Sequence, residues 1–114
     1  MDNLGLTKEE ITGIKAIFSK YQQVEQVLIY GSRAIGNFKP ASDIDLSIIG
    51  KDIDLNLQTN IEFDLDDLML PYKFDISLYN KISNPEFLDH INRVGKKIYI
   101  RSNEGTALYK RIVG

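Results

Sequence analysis

Apolar positions along the chain follow two periods, and the changes between them mark out the elements. Thr7-Lys8-Glu9-Glu10 has the form of a capping box. Ile11, Ile14, Ile17 and Phe18 follow at helical spacing, which predicts a packing helix to about Tyr21. Val27-Leu28-Ile29-Tyr30 is a continuous apolar run, read as a central strand from about Gln26 covered on both faces. Gly31-Ser32 then turns the chain into a short helix near residues 32–35. The second strand runs over about residues 44–49. From Asp54 to Leu70, Leu57, Ile61, Leu65, Leu68 and Met69 keep helical spacing, and Pro71 stops that helix. A third strand covers residues 73–79. Asn84-Pro85 opens a further helix, cap then first-turn proline, with Phe87, Leu88, Ile91 and Val94 as its apolar side and Gly95 as its end. Ile98-Tyr99-Ile100 adds an edge strand, and the segment after Arg101 is a short helix or a tail. These elements make an α/β chain (α+β in arrangement), a small mixed sheet flanked by helices.

Three carboxylates break this pattern. Asp43, Asp45 and Asp75 each interrupt or border a run that otherwise reads as a buried strand. A carboxylate is expensive to bury unless it is paired or bound to metal. A strand alternates faces and rises about 3.3 Å per residue, so Asp43 and Asp45 share a face with β-carbons roughly 6–7 Å apart. Ile44, Leu46 and Ile48 take the other face. Asp75 and Ser77 repeat the arrangement against Phe74, Ile76 and Leu78. If the two strands are neighbours, three acids meet. Such a set suits two Mg²⁺ ions about 3.5–4 Å apart in a phosphoryl-transfer site, since Mg²⁺ takes oxygen ligands and keeps substrate phosphates in its shell.

A second Asp-Ile-Asp, Asp52-Ile53-Asp54, follows Gly50-Lys51 in a turn before a helix. It reads as a helix cap, by Asp54 or Asp52. The acid-rich stretch Glu62, Asp64, Asp66 and Asp67 reads as a solvated face. The strand, glycine turn and helix start at residues 27–35 form a phosphate cradle, with Gly31 allowing close approach and Ser32 adding a hydroxyl. Arg33 either reaches phosphate oxygens with its planar fork or makes a surface ion pair. The P-loop and dinucleotide glycine patterns are absent. Tyr30 is near enough to touch a nucleotide. His90, the single histidine, reads as a surface or packing residue.

Gly31-Ser32, ten intervening residues, Asp43-x-Asp45 and a later strand Asp75 resemble the DNA polymerase β-like nucleotidyltransferase superfamily. The text Gly-Ser-Arg-Ala-Ile-Gly followed by Ser42-Asp43-Ile44-Asp45-Leu46 is similar to its minimal, one-domain members, many of them antitoxins paired with HEPN-domain ribonuclease toxins. The resemblance covers about residues 24–100. It departs at Ile35, where members often carry Arg or Lys, which leaves Arg33 and Lys39 as the basic candidates.

The resemblance implies one domain over residues 1–114 with a polymerase β-like fold. It implies transfer of a nucleoside monophosphate, AMP from ATP, onto an acceptor hydroxyl, a toxin tyrosine. Asp43, Asp45 and Asp75 would be catalytic and would hold two Mg²⁺ ions, with Asp75 also helping to deprotonate the acceptor. Gly31, Ser32 and Arg33 would bind the nucleotide. Two other readings stand beside it: a binding module that neutralises its partner by occlusion, and a small-molecule transferase of the aminoglycoside-modifying kind.

The remaining composition narrows the partners. The formal net charge of −2 argues against strong sequence-independent nucleic-acid binding. Without cysteine, disulfides and zinc–thiolate sites are excluded. No apolar stretch is long enough to cross a membrane, and Met1-Asp2-Asn3-Leu4 does not read as a signal segment. A cytoplasmic location is the expectation.

Overall fold

Two strands rich in Val, Ile and Leu pair at the centre of the chain, β1 (Val24–Tyr30) and β2 (Ile44–Gly50), in antiparallel register. They belong to a computed structural model that describes residues 3–101. The sheet has four strands in the order β3-β2-β1-β4, with β3 over Phe74–Leu78 and β4 over Lys96–Ile100. β4 runs antiparallel to β1, while β3 runs parallel to β2. A parallel neighbour needs a long crossover, and the helix between β2 and β3 supplies it.

Helices cover both faces. α1 (Lys8–Ser19) carries the full capping box: Glu10 N–H donates to Thr7 Oγ1, and Thr7 N–H donates to Glu10 Oε1. Its buried Ile14, Ile17 and Phe18 join Val27, Ile29, Ile44, Leu46 and Ile48 in the main core. α3 (Leu55–Asp66) adds Ile61 and Leu65 to the same core. Burying each such side chain contributes about 1.5–3 kcal/mol. On the opposite face, α4 (Pro85–Val94) seats Ile91 against Leu28 and Tyr30, with Phe87, Val94, Ile49, Tyr79 and Ile82 around them. β1 is therefore covered on both faces, as its unbroken apolar run predicts.

Several boundaries differ from the sequence reading: α1 ends at Ser19 rather than near Tyr21, and β1 begins at Val24 rather than near Gln26. α3 ends at Asp66 rather than continuing to Leu70. Met69 adopts a left-handed φ of 55°, and this bend returns Leu68 and Leu70 to the core. Tyr79 does not extend β3 but opens a 3₁₀ turn, Tyr79–Lys81. β4 begins at Lys96, directly after α4, rather than at Ile98. The expectation for the chain after Arg101 lies outside the described residues.

Candidate functional site

β1 ends at Tyr30, and the chain turns at once through Gly31 into α2 (Ser32–Ile35). Gly31 has φ 73° and ψ −154°. Only glycine occupies that region without a cost of about 1–3 kcal/mol. A β-carbon there would also collide with Asp45 Oδ2. The glycine thus serves two ends: it allows the turn, and it lets the Asp45 carboxylate lie against the backbone where α2 begins.

Asp45 stands opposite Tyr30 in the β1–β2 register and opposite Asp75 in the β2–β3 register. Directly opposed residues share a face, so Asp45 and Asp75 point to the same side on strands about 4.8 Å apart. Asp43 lies just ahead of β2. Asp43 and Asp75 are exposed, whereas Asp45 is half-buried. The ion pairs Lys20–Asp64 and Arg93–Asp89 involve none of these three acids.

The electrostatics follow from this placement. Burial holds the Asp45 carboxyl above its ordinary range, and the Asp75 and Asp43 charges push the same way, against weaker help from His90 and Arg33. The geometry thus brings Asp45 and Asp75 together and keeps Asp43 within electrostatic reach. Among the described residues, no three or more His, Cys, Asp or Glu side chains lie close enough together to hold a metal ion between them. The donor set still fits hard divalent ions. It consists of carboxylate oxygens, and the burial and neighbouring charges that disfavour the ionised form of Asp45 are what a cation would offset.

Arg33 is placed differently from its reading as a phosphate contact. The residue is 1% exposed, and its guanidinium faces inward. Nη1 donates to the carbonyls of Leu4 (2.9 Å) and Gly5 (3.3 Å). Nη2 donates to those of Pro40 (3.2 Å) and Ser42 (2.8 Å), and Nε to Ser42 (3.2 Å). The group also lies 5.3 Å from the Phe38 ring centroid and 4.6 Å from that of Tyr72. With its donors engaged and the group buried beside two rings, it has no free edge for a phosphate; nor is it a surface ion pair. Ser32 is half-exposed at the start of α2, and Lys39 and Ile35 are exposed nearby.

Two further residues border the acids. Tyr30 is buried, with the rings of Phe87 (5.5 Å) and His90 (6.0 Å) packed edge-on to it. Burial raises its phenol above the ordinary range; the Ser77 hydroxyl opposes this, and the Asp75 and Asp45 charges add to it. Tyr30 therefore forms the floor beside the acids rather than an open stacking platform. His90 faces the site from α4. The signal for that was its spacing, three residues after Phe87 on the helix stripe that packs against β1.

A strand, a Gly-Ser turn and short helix, then acids on two adjoining strands: this arrangement defines the class of small nucleotidyl-transfer domains. The profile of the polymerase beta nucleotidyltransferase family matches residues 12–104, and the chain belongs to that family. No curated protein matches the chain by sequence. Solved structures share the fold. A toxin–antitoxin structure with AMP-PNP superposes with a TM-score of 0.65 at 14% identity, over 94% of this chain and 90% of that one. The structure of the tri-AMPylated Shewanella oneidensis HEPN toxin in complex with MNT antitoxin gives 0.64 at 12% identity, over 91% and 80%. The MntA–HepT toxin–antitoxin gives 0.62 at 11% identity, over 93% and 89%.

Proposed function

We propose that this chain, as one minimal domain, transfers AMP from ATP to a hydroxyl of a protein acceptor, a tyrosine of a HEPN-type ribonuclease toxin, and so acts as its antitoxin. The observation that carries the reading is the register: Asp45 and Asp75 face each other across adjoining strands, over a glycine that only an unsubstituted backbone can fill. In this reading Asp43, Asp45 and Asp75 hold the divalent ions. Bound Mg²⁺ would supply polarisation of the α-phosphate and charge neutralisation of the leaving pyrophosphate. The residues of the chain do the positioning. Ser32 and the Gly31 backbone orient the phosphates at the start of α2. Asp75, on the edge strand, orients the acceptor hydroxyl and takes up its proton. Correct placement of reactants supplies much of the acceleration in such chemistry.

A protein acceptor is favoured by the openness of the site. Asp43 and Asp75 are exposed, and β3 is the border of the sheet. A second macromolecule can complete such a surface. AMP on a toxin tyrosine would add charge and bulk where RNA must bind, blocking it by repulsion and occlusion. The likeness to MNT antitoxins in complex with HEPN toxins supports the same partner.

The test uses ATP labelled separately at the α- and γ-phosphates, incubated with Mg²⁺, the chain and a HEPN-type partner. Label on the partner from the α-position alone establishes nucleotidyl transfer. Label from the γ-position, or from neither while the toxin is neutralised, contradicts it, and the latter outcome leaves the occlusion reading.

A further inference from the structure

We propose that Arg33 is a positioning residue that fixes Asp43 by holding the Ser42 carbonyl, and that the Leu4–Gly5 segment is part of the same support. The inference rests on the nucleotidyl-transfer reading.

A buried guanidinium whose partners are neutral carbonyls is a costly way to fill space. Replacing buried charged groups with apolar side chains of similar volume is often neutral or stabilising. The hydrogen bonds of Arg33 instead converge on two stretches of backbone. One is Leu4–Gly5, ahead of α1; the other is the Pro40–Ser42 loop that leads into β2. Ser42 O receives two of the donors, at 2.8 and 3.2 Å. That carbonyl belongs to the peptide whose N–H is that of Asp43. Holding it sets the plane from which the Asp43 side chain departs. Ser42 Oγ, which accepts from Lys39 N–H at 2.8 Å, braces the loop from the other side.

The rings of Phe38 and Tyr72 pack beside the guanidinium, at 5.3 and 4.6 Å from its central carbon. Gly5 is fitted to the same group. Its φ is 73°, and a β-carbon there would lie 2.7 Å from Arg33 Nη1 and collide with Phe38. A lysine at position 33 would keep the charge but lose the fork that spans both stretches.

The experiment titrates the intact chain with Mn²⁺, reading free ion by electron paramagnetic resonance without nucleotide, and separately measures ATP binding at saturating Mn²⁺. The variants are Arg33→Lys and Gly5→Ala, with Asp45→Asn as control. Outer-shell partners of metal ligands typically govern 10–100-fold in metal affinity. Arg33→Lys and Gly5→Ala should each weaken Mn²⁺ binding by about that range, and excess Mn²⁺ should restore ATP binding to the wild-type level. Weakened ATP binding at saturating ion with unchanged Mn²⁺ affinity would make Arg33 a phosphate contact and overturn the proposal. A lowered melting temperature with unchanged Mn²⁺ affinity would make it a purely structural tie and overturn it equally. Should either variant fail to fold, Tyr72→Leu, which removes one wall but no hydrogen bond to Arg33, carries the same comparison. If Asp45→Asn itself leaves Mn²⁺ binding intact, the fault lies with the metal-site reading and not with the role of Arg33.

Discussion

Asp45 sits where burial and two neighbouring carboxylates act in the same direction, against its ionised form. The linkage has a definite sign. Its folded-state pKa lies above the ordinary value, so the native state carries a penalty at neutral pH. That penalty is relieved as pH falls through the raised value. Asp45→Asn should therefore raise the melting temperature at pH 7 in the presence of a chelator, and the advantage should vanish below the ordinary carboxylate range. Paired thermal scans of the two proteins across pH check this; an equal or lower melting temperature for the variant at pH 7 would show that the acids do not repel. Asp64 behaves oppositely. The Tyr21 hydroxyl and then Lys20 hold it below its ordinary value, so its contribution is present at neutral pH and lost in acid. At this scale the shared face of Asp45 and Asp75 was legible, because period-two alternation turns them away from Ile44, Leu46, Phe74 and Ile76; Asp43 lies ahead of β2, where alternation sets no face. Arg33 was not legible. Its partners are backbone carbonyls, two of them nearly thirty residues away in sequence, and a carbonyl carries no residue-type signal.

Elements were legible where a cap or a periodic stripe defined them. The capping box at Thr7, the Asn84 cap with Pro85, and the apolar run of β1 all appear as read. The end of α3 was not legible. Helical spacing of apolar residues continues to Met69, but Leu68 and Leu70 reach the core through a left-handed bend instead. The second Asp-Ile-Asp resolves in favour of capping: Asp54 Oδ1 accepts from Leu57 N–H at 2.8 Å. Asp54→Ala should cost about 0.5–2 kcal/mol of stability and leave Mn²⁺ binding unchanged. Denaturant unfolding and the same ion titration separate these effects; a loss of ion binding comparable to that of Asp45→Asn would mean the wrong acid pair has been assigned.

Over the whole molecule, the layout separates support from chemistry. The main core, under α1 and α3, occupies one face of the sheet, and the acids occupy the other beside α4. The pairing of β2 with β3 could be read only conditionally, since a parallel register is set by a crossover and not by either strand alone. Once made, it brings Asp75, exposed on the edge strand, opposite the half-buried Asp45 on the strand inside it. Among the described residues, no helix is long and apolar enough to cross a membrane. The central question for the whole molecule is whether this surface transfers a nucleotide to a protein. Intact-mass measurement of a HEPN-type partner, after incubation with the chain and Mg²⁺-ATP, addresses that most directly. The predicted result is a gain of one or more AMP units on the partner, absent when Asp43→Asn and Asp45→Asn are combined. An unchanged partner mass with the toxin still neutralised, or a gain that survives the double substitution, would contradict it.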